Sequence, residues 1–158
     1  MLRLIPQPWH RAAYRLAHRA RLLVWKVTKP QLQGVAVLAT DLNDQLLLIR
    51  LSYGNGSWNV PSGGIDAGEN PPEAAMREFR EETGCEASLM KPLGVQVEHL
   101  SGATNTVHVF ACKASGQPRA DMREVIEARY FPMHSLPEPL SDATRRRLEL
   151  YKAASQQR

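Results

Sequence analysis

Aspartate and glutamate are missing from the first 40 residues, which carry seven Lys or Arg (Arg3, Arg11, Arg15, Arg19, Arg21, Lys26, Lys29). The rest of the chain holds 13 basic and 16 acidic residues, so the net charge of +4 is a property of the N-terminal segment and not of the body. Long apolar runs are also missing. None approaches the roughly 20 residues that a spanning helix needs, although a hydrophobic content of 43% is enough for a globular core. Cysteine is scarce. Cys85 and Cys112 make no metal-ligand spacing, which excludes a cysteine-based metal site, and as reduced core thiols they point to the cytoplasm. Internal repeats and low-complexity stretches are absent. A length of 158 residues fits one domain plus a terminal extension.

That extension, residues 1–30, contains an amphipathic pattern. Trp9, Ala13, Leu16, Ala20, Leu23, Val24 and Val27 recur at three- and four-residue spacing, with arginines between them. Pro8 suits a first turn and Pro30 marks the far side. Charges interrupt every candidate core for a secretory signal, whereas an organelle transit peptide shares the Arg-rich, acid-poor composition. The helix has three possible uses: packing against its own domain or a second subunit, contact with an anionic membrane surface through residues 9–27, or contact with nucleic acid. No aromatic-basic motif supports the last, so no clear nucleic-acid partner is expected.

From Gly34 the period changes. Val35, Val37 and Ala39 alternate, Leu46–Leu51 is densely apolar, and Asp41-Leu42-Asn43-Asp44 lies between them. Residues 34–51 therefore read as a β-hairpin. The same Asp/Asn spacing lacks the Gly and terminal Glu of a calcium loop. Further strands are expected at 58–60, 86–98, 105–113 and 128–132. Ser141 caps a final helix over about 142–154. The order of elements predicts a mixed sheet flanked by helices.

The chemistry concentrates between Gly63 and Cys85, GGIDAGENPPEAAMREFREETGC. Pro71 and Pro72 suit a first turn, good helix formers follow, and Gly84 suits a C-terminal stop, so the spacing predicts a helix over 71–83. On it, Glu78 and Glu82 stand one turn apart with Glu81 beside them. Three like charges this close repel, and a bound hard cation removes that penalty. Gly63, Gly64 and Gly68 let main-chain groups approach a ligand, and Glu69 stands at the loop's end.

The joint spacing is more specific than any of its parts. Gly63, Glu69, Arg77-Glu78, apolar Phe79, Glu81-Glu82 and Gly84-Cys85 match the signature of the Nudix hydrolases, and the segment resembles that family at every defining position. Pro61 and the hairpin before it also look like the family, whereas residues 1–30 fall outside the resemblance. It implies an α/β/α sandwich over 31–158. It also implies Mg²⁺- or Mn²⁺-dependent hydrolysis of a nucleoside diphosphate linked to another moiety. By position, Glu81 and Glu82 would be metal ligands, and Glu78 a ligand or the base that activates water. Arg77 would orient the glutamates, Glu69 would assist the base, and the Ser62 carbonyl would complete the metal shell. Ser62 departs from the Gly common at that position, and Asp66 replaces a commoner Glu.

A further acidic ligand is expected downstream, with Glu124 the first candidate, Glu127 the second and Glu98 the third. Tyr53, Trp58 and Arg50 are candidates for substrate contact. His108 and Arg119 are more remote ones. Each also has a plain structural reading, above all Trp58 as a core residue. A second function class is a ligand-sensing or partner-binding module with little catalysis, but a mere binder has no need of Arg77, Glu78, Glu81 and Glu82 together. The sequence names neither the substrate nor the oligomeric state, monomer or homodimer.

Overall fold

The structure, a computed structural model, describes residues 7–156; Arg3 lies outside them. Helix α1 (Gln7–Thr28) is followed by strands β1 (Gln31–Thr40), β2 (Gln45–Leu51), β3 (Trp58–Asn59) and β4 (Ser62–Gly64). Then come helix α2 (Pro71–Thr83), strands β5 (Glu86–Ala87), β6 (Lys91–Leu100), β7 (Ala103–Ser115) and β8 (Val125–Pro132), and helix α3 (Asp142–Gln156). The sheet is mixed, as its element order predicts. β1 runs parallel to β7 from Gln31↔Thr104 to Thr40↔Lys113, and the other ladders are antiparallel.

β1 and β2 meet only near their turn, at Thr40↔Leu46. Beyond it they part: β4 takes the place beside β1, and β2 pairs with β3 and β8. The turn is closed by the Asp41 carboxylate, which accepts from the Asn43 and Gln45 amides, so this carboxylate caps backbone.

Side-chain alternation divides the core between the two faces. Val35, Val37, Ala39, Leu47, Ile49, Phe110 and Cys112 pack with Ala74, Ala75 and Phe79 of α2. Ala36, Leu38, Leu46, Leu48, Val107 and Val109 pack with Leu148 of α3 on the other side. The result is a helix–sheet–helix sandwich. Burial pushes the Cys112 thiol up to about 12, which leaves it inert at neutral pH.

α1 lies against the domain in an orientation that its apolar periodicity does not predict. Half-buried His10, Arg11, His18, Leu22 and Trp25 face inward. Arg11 Nε donates to the Met122 carbonyl at 3.0 Å, and the His18 ring stacks on Tyr53 with centroids 4.8 Å apart. The Trp25 carbonyl sits beside Gly102 in the β6–β7 turn, where a side chain would collide with it. The stripe running from Trp9 to Val27 faces solvent instead. The reason lies in the receiving surface, which offers α1 a carbonyl, a phenol ring and a tight turn, a set that matches the helix's polar face.

Candidate active site

The loop β4–α2 and the body of α2 form a single scaffold. Asn70 caps the helix, its side chain accepting from the Glu73 amide while Glu73 accepts from the Asn70 amide. This reciprocal arrangement satisfies two otherwise orphaned donors. At the other end Gly84 takes the left-handed conformation, φ 66°, and returns its N–H to the Arg80 carbonyl. The helix therefore starts and stops where its sequence dictates, and its acidic face is fixed in rotation.

Arg77 organises that face. Its Nε and Nη2 clasp the two oxygens of Glu69 at 2.9 and 2.8 Å, Nη1 donates to Glu78 Oε1 at 2.8 Å, and Nη2 also reaches the Gly64 carbonyl. Asp66 and Glu81 stand 3.6 Å from the same guanidinium. The fork geometry of arginine suits this many acceptors, which a lysine could not serve. Glu69 is held below the usual carboxylate range, first by the Arg77 hydrogen bond and then by the Asp66 amide.

Glu78 and Glu82 behave in the opposite way. Burial pushes Glu78 up against the opposing pull of Arg77, and nearby Glu81 and Glu124 add to the rise. Glu82 is raised well above the usual range, by burial first. The Ser62 amide, which donates to its Oε2 at 2.8 Å, opposes the rise, and Glu78, Glu124 and Asp121 reinforce it. Gly63 explains how Glu78 reaches its place: the carboxyl lies where a Cβ on residue 63 would stand. Gly63→Ala should therefore swing Glu78 aside and lower turnover by about 10²-fold with little change in melting temperature. Measuring kcat and Tm side by side checks this, and an unchanged kcat refutes the placement.

Among the downstream acids the structure separates three candidates that the sequence leaves open. The Glu124 carbonyl is bonded by the Ser52 amide, and its carboxylate accepts from Tyr53 Oη at 2.8 Å. It is close enough to raise Glu78 and Glu82. Glu127 lies opposite Arg50 across the β2–β8 ladder and pairs with it at 3.3 Å. Glu98 is buried beneath α3 with Arg147. Only Glu124 joins the α2 carboxylates.

The substrate-contact candidates fare differently. Trp58 is buried on the α3 side of the sheet, edge-on to Phe131 with centroids 4.9 Å apart, so its structural reading holds. Arg50 lies over the Trp58 ring while paired to Glu127. Tyr53 is at the site, but it is engaged by Glu124 below and His18 above; its hydroxyl is raised by burial first and then by Glu124. His108 faces Gln33. The Arg119 amide bonds the Thr83 carbonyl at the end of α2.

Asp121 is a residue that pattern reading misses. Its Oδ1 accepts from the Arg123 and Val125 amides, folding the turn that presents Glu124. An Asp two residues before an Arg-Glu pair is a turn signal that the sequence does contain.

Glu78, Glu82 and Glu124 each commit one oxygen to an Arg77, Ser62 or Tyr53 donor, and their second oxygens accept no hydrogen bond among the described residues. Nevertheless, among the described residues no three His, Cys, Asp or Glu side chains stand ready to hold a metal ion directly. The donor chemistry fits a hard cation: the donors are all oxygen, Glu78 and Glu82 are half-buried, and among the described residues Arg77 is the one cation paired with the α2 face.

Comparison with known proteins assigns a fold and a site of this kind to one family. The NUDIX domain model matches residues 30–153, and the chain belongs to that family. An RNA pyrophosphohydrolase of Rhodospirillum rubrum is 39% identical over 61 residues, which are 39% of this chain and 37% of that protein. A putative 8-oxo-dGTP diphosphatase of Bacillus subtilis is 29% identical over 131 residues, 78% of this chain and 82% of that one. The chain thus spans little more than a third of the first relative's length and most of the second's. The crystal structure of a MutT NUDIX hydrolase from Burkholderia pseudomallei superposes with a TM-score of 0.70 at 27% identity. That match covers 76% of this chain and 97% of the other.

Proposed function

We propose that the protein hydrolyses a phosphoanhydride in a nucleoside diphosphate linked to another moiety. Water attacks phosphorus, the bridging P–O bond breaks, and a nucleoside monophosphate and a second phosphorylated product leave. The observation that carries this reading is the set of three neighbouring carboxylates, Glu78, Glu82 and Glu124, each with one oxygen that accepts no hydrogen bond among the described residues. Glu81, Glu82, Glu124, the Ser62 carbonyl and Glu78 are the groups that would hold Mg²⁺ or Mn²⁺. Bound there, the ion would neutralise phosphate charge and lower the pKa of a water molecule.

The chain's own residues supply the rest. Glu78, raised by burial, is poised to take the proton of the attacking water. Arg77 fixes the orientation of Glu78, and Glu69 fixes Arg77. Tyr53 and Asp121 position Glu124. The catalytic unit on this reading is residues 31–158, with 1–30 as an appendage. Two free, buried thiols support a cytoplasmic location.

The substrate class is best sought among nucleotide derivatives that resemble those in the relatives' names. The decisive experiment is monophosphate release with Mg²⁺ across oxidised nucleoside triphosphates, dinucleoside polyphosphates, ADP-ribose-like compounds and triphosphorylated or capped RNA ends. Turnover of one class is expected, lost on chelation. Silence across the panel together with saturable nucleotide binding would instead identify a sensing module.

A further inference from the structure

We propose that the outward face of α1 docks the protein onto an anionic lipid surface. The inward contacts of α1 use His18, Leu22 and Trp25, which leaves the opposite face without a partner. On that face Trp9, Leu16, Leu23 and Val27 are 70, 71, 63 and 83% exposed, and Val24 lies between them. Such a continuous stripe on a single helix is more apolar surface than scattered exposed residues account for. At 1.5 Å per residue it runs about 27 Å from Trp9 to Val27.

Charge decides what covers it. Within α1 stand Arg11, Arg15, Arg19, Arg21 and Lys26, with no Asp or Glu. Arg15, Arg19 and Lys26 follow one edge of the stripe and Arg21 the other, as the helical repeat requires. A second copy of this helix would set basic edge against basic edge. A nucleic-acid backbone would satisfy the arginines and leave the apolar stripe in water. An anionic membrane surface takes both at once, with apolar side chains in the acyl boundary and guanidinium groups at the headgroups. None of the described helices is long and apolar enough to cross a membrane, so α1 would lie in the interface plane. Trp9, an amphipathic ring at one end, suits that depth.

The test is flotation of the full chain with vesicles rich in phosphatidylglycerol and with vesicles of pure phosphatidylcholine. Binding is expected to the first only, and to weaken with salt. Neutralising two edge bases, Arg15→Gln with Arg19→Gln, should lower the partition coefficient by about 30-fold, roughly fivefold per base. Leu16→Gln with Leu23→Gln should lower it by more than about tenfold. Neither pair touches the carboxylate site, so turnover of a soluble nucleotide should stay unchanged in both, separating this proposal from the hydrolytic one. The proposal is overturned by equal binding to both vesicles or by none. It is equally overturned by nucleic-acid binding without flotation, or by a solution dimer that L16Q/L23Q converts to a monomer.

Discussion

Glu78→Gln is expected to lower turnover by about 10²- to 10⁴-fold, and Glu82→Gln to abolish it through loss of the cation, for two different physical reasons. The Glu78 carboxylate is oriented by Arg77 and partly desolvated, the state of a base that must accept a proton. The amide keeps the size and the Arg77 contact and loses the basicity. Its variant should therefore still bind nucleotide, and lose less Mn²⁺ affinity than Glu82→Gln, while kcat collapses. Glu82 is half-buried, bonded among the described residues only by the Ser62 amide, and surrounded by like charges. Its carboxylate is a burden in the metal-free fold, so Glu82→Gln should raise the stability of the chelated protein by about 1 kcal/mol or more while Mn²⁺ affinity falls. Thermal melts in chelator and calorimetric Mn²⁺ titration check the two halves. Near-wild-type turnover in both variants, with the fold intact, would refute the assigned roles.

The contrast between the two glutamates was only partly legible from residue order. Helix α2 was, because its signals are local: Asn70 and Pro71 begin it and Gly84 ends it, and the observed bounds are Pro71–Thr83. Local order also places Arg77, Glu78, Glu81 and Glu82 on adjoining faces. What residue order cannot supply is pairing across the chain. β4 reads as a glycine loop because its strand character comes from β1, through Ala36↔Ser62 and Val35↔Gly63. That pairing brings the Ser62 amide to Glu82 and leaves Gly63 pressed against Glu78. The preference for Glu124 over Glu127 likewise rests on the β2–β8 register, which sets Glu127 against Arg50 and lets Glu124 fall in the turn beyond the bulge at Leu51. The inverted face of α1 has the same origin: periodicity tells which residues share a face, and only the receiving surface tells which face is used.

Glu98 carries the largest stability prediction, since it is a buried charge held by an arginine of α3. It stands near the end of β6 beneath α3, 8% exposed, and accepts a hydrogen bond from Arg147 at 2.9 Å. Arg147 is slightly more buried still. Its guanidinium is depressed by desolvation and sustained by Glu98, with no partner for Nε among the described residues. Arg146 stands 3.6 Å from the same carboxylate but half in solvent. Arg147→Ala leaves Glu98 with that one distant, screened cation, so the expected loss is about 3–5 kcal/mol, the usual cost of an orphaned buried charge. Arg146→Ala should cost under about 1 kcal/mol. Replacing both partners by apolar residues of similar volume, Glu98→Leu with Arg147→Met, should recover most of the loss, because desolvation and attraction vanish together. Chemical denaturation of the two single variants and the double one gives the coupling directly. A loss below about 1 kcal/mol in Arg147→Ala would mean that water reaches Glu98 and that the pair is a surface bridge. The fold should remain populated throughout, given total stabilities of about 5–15 kcal/mol for domains of this kind. Turnover of folded Arg147→Ala should match wild type, which is what distinguishes Glu98 from the acid at position 124.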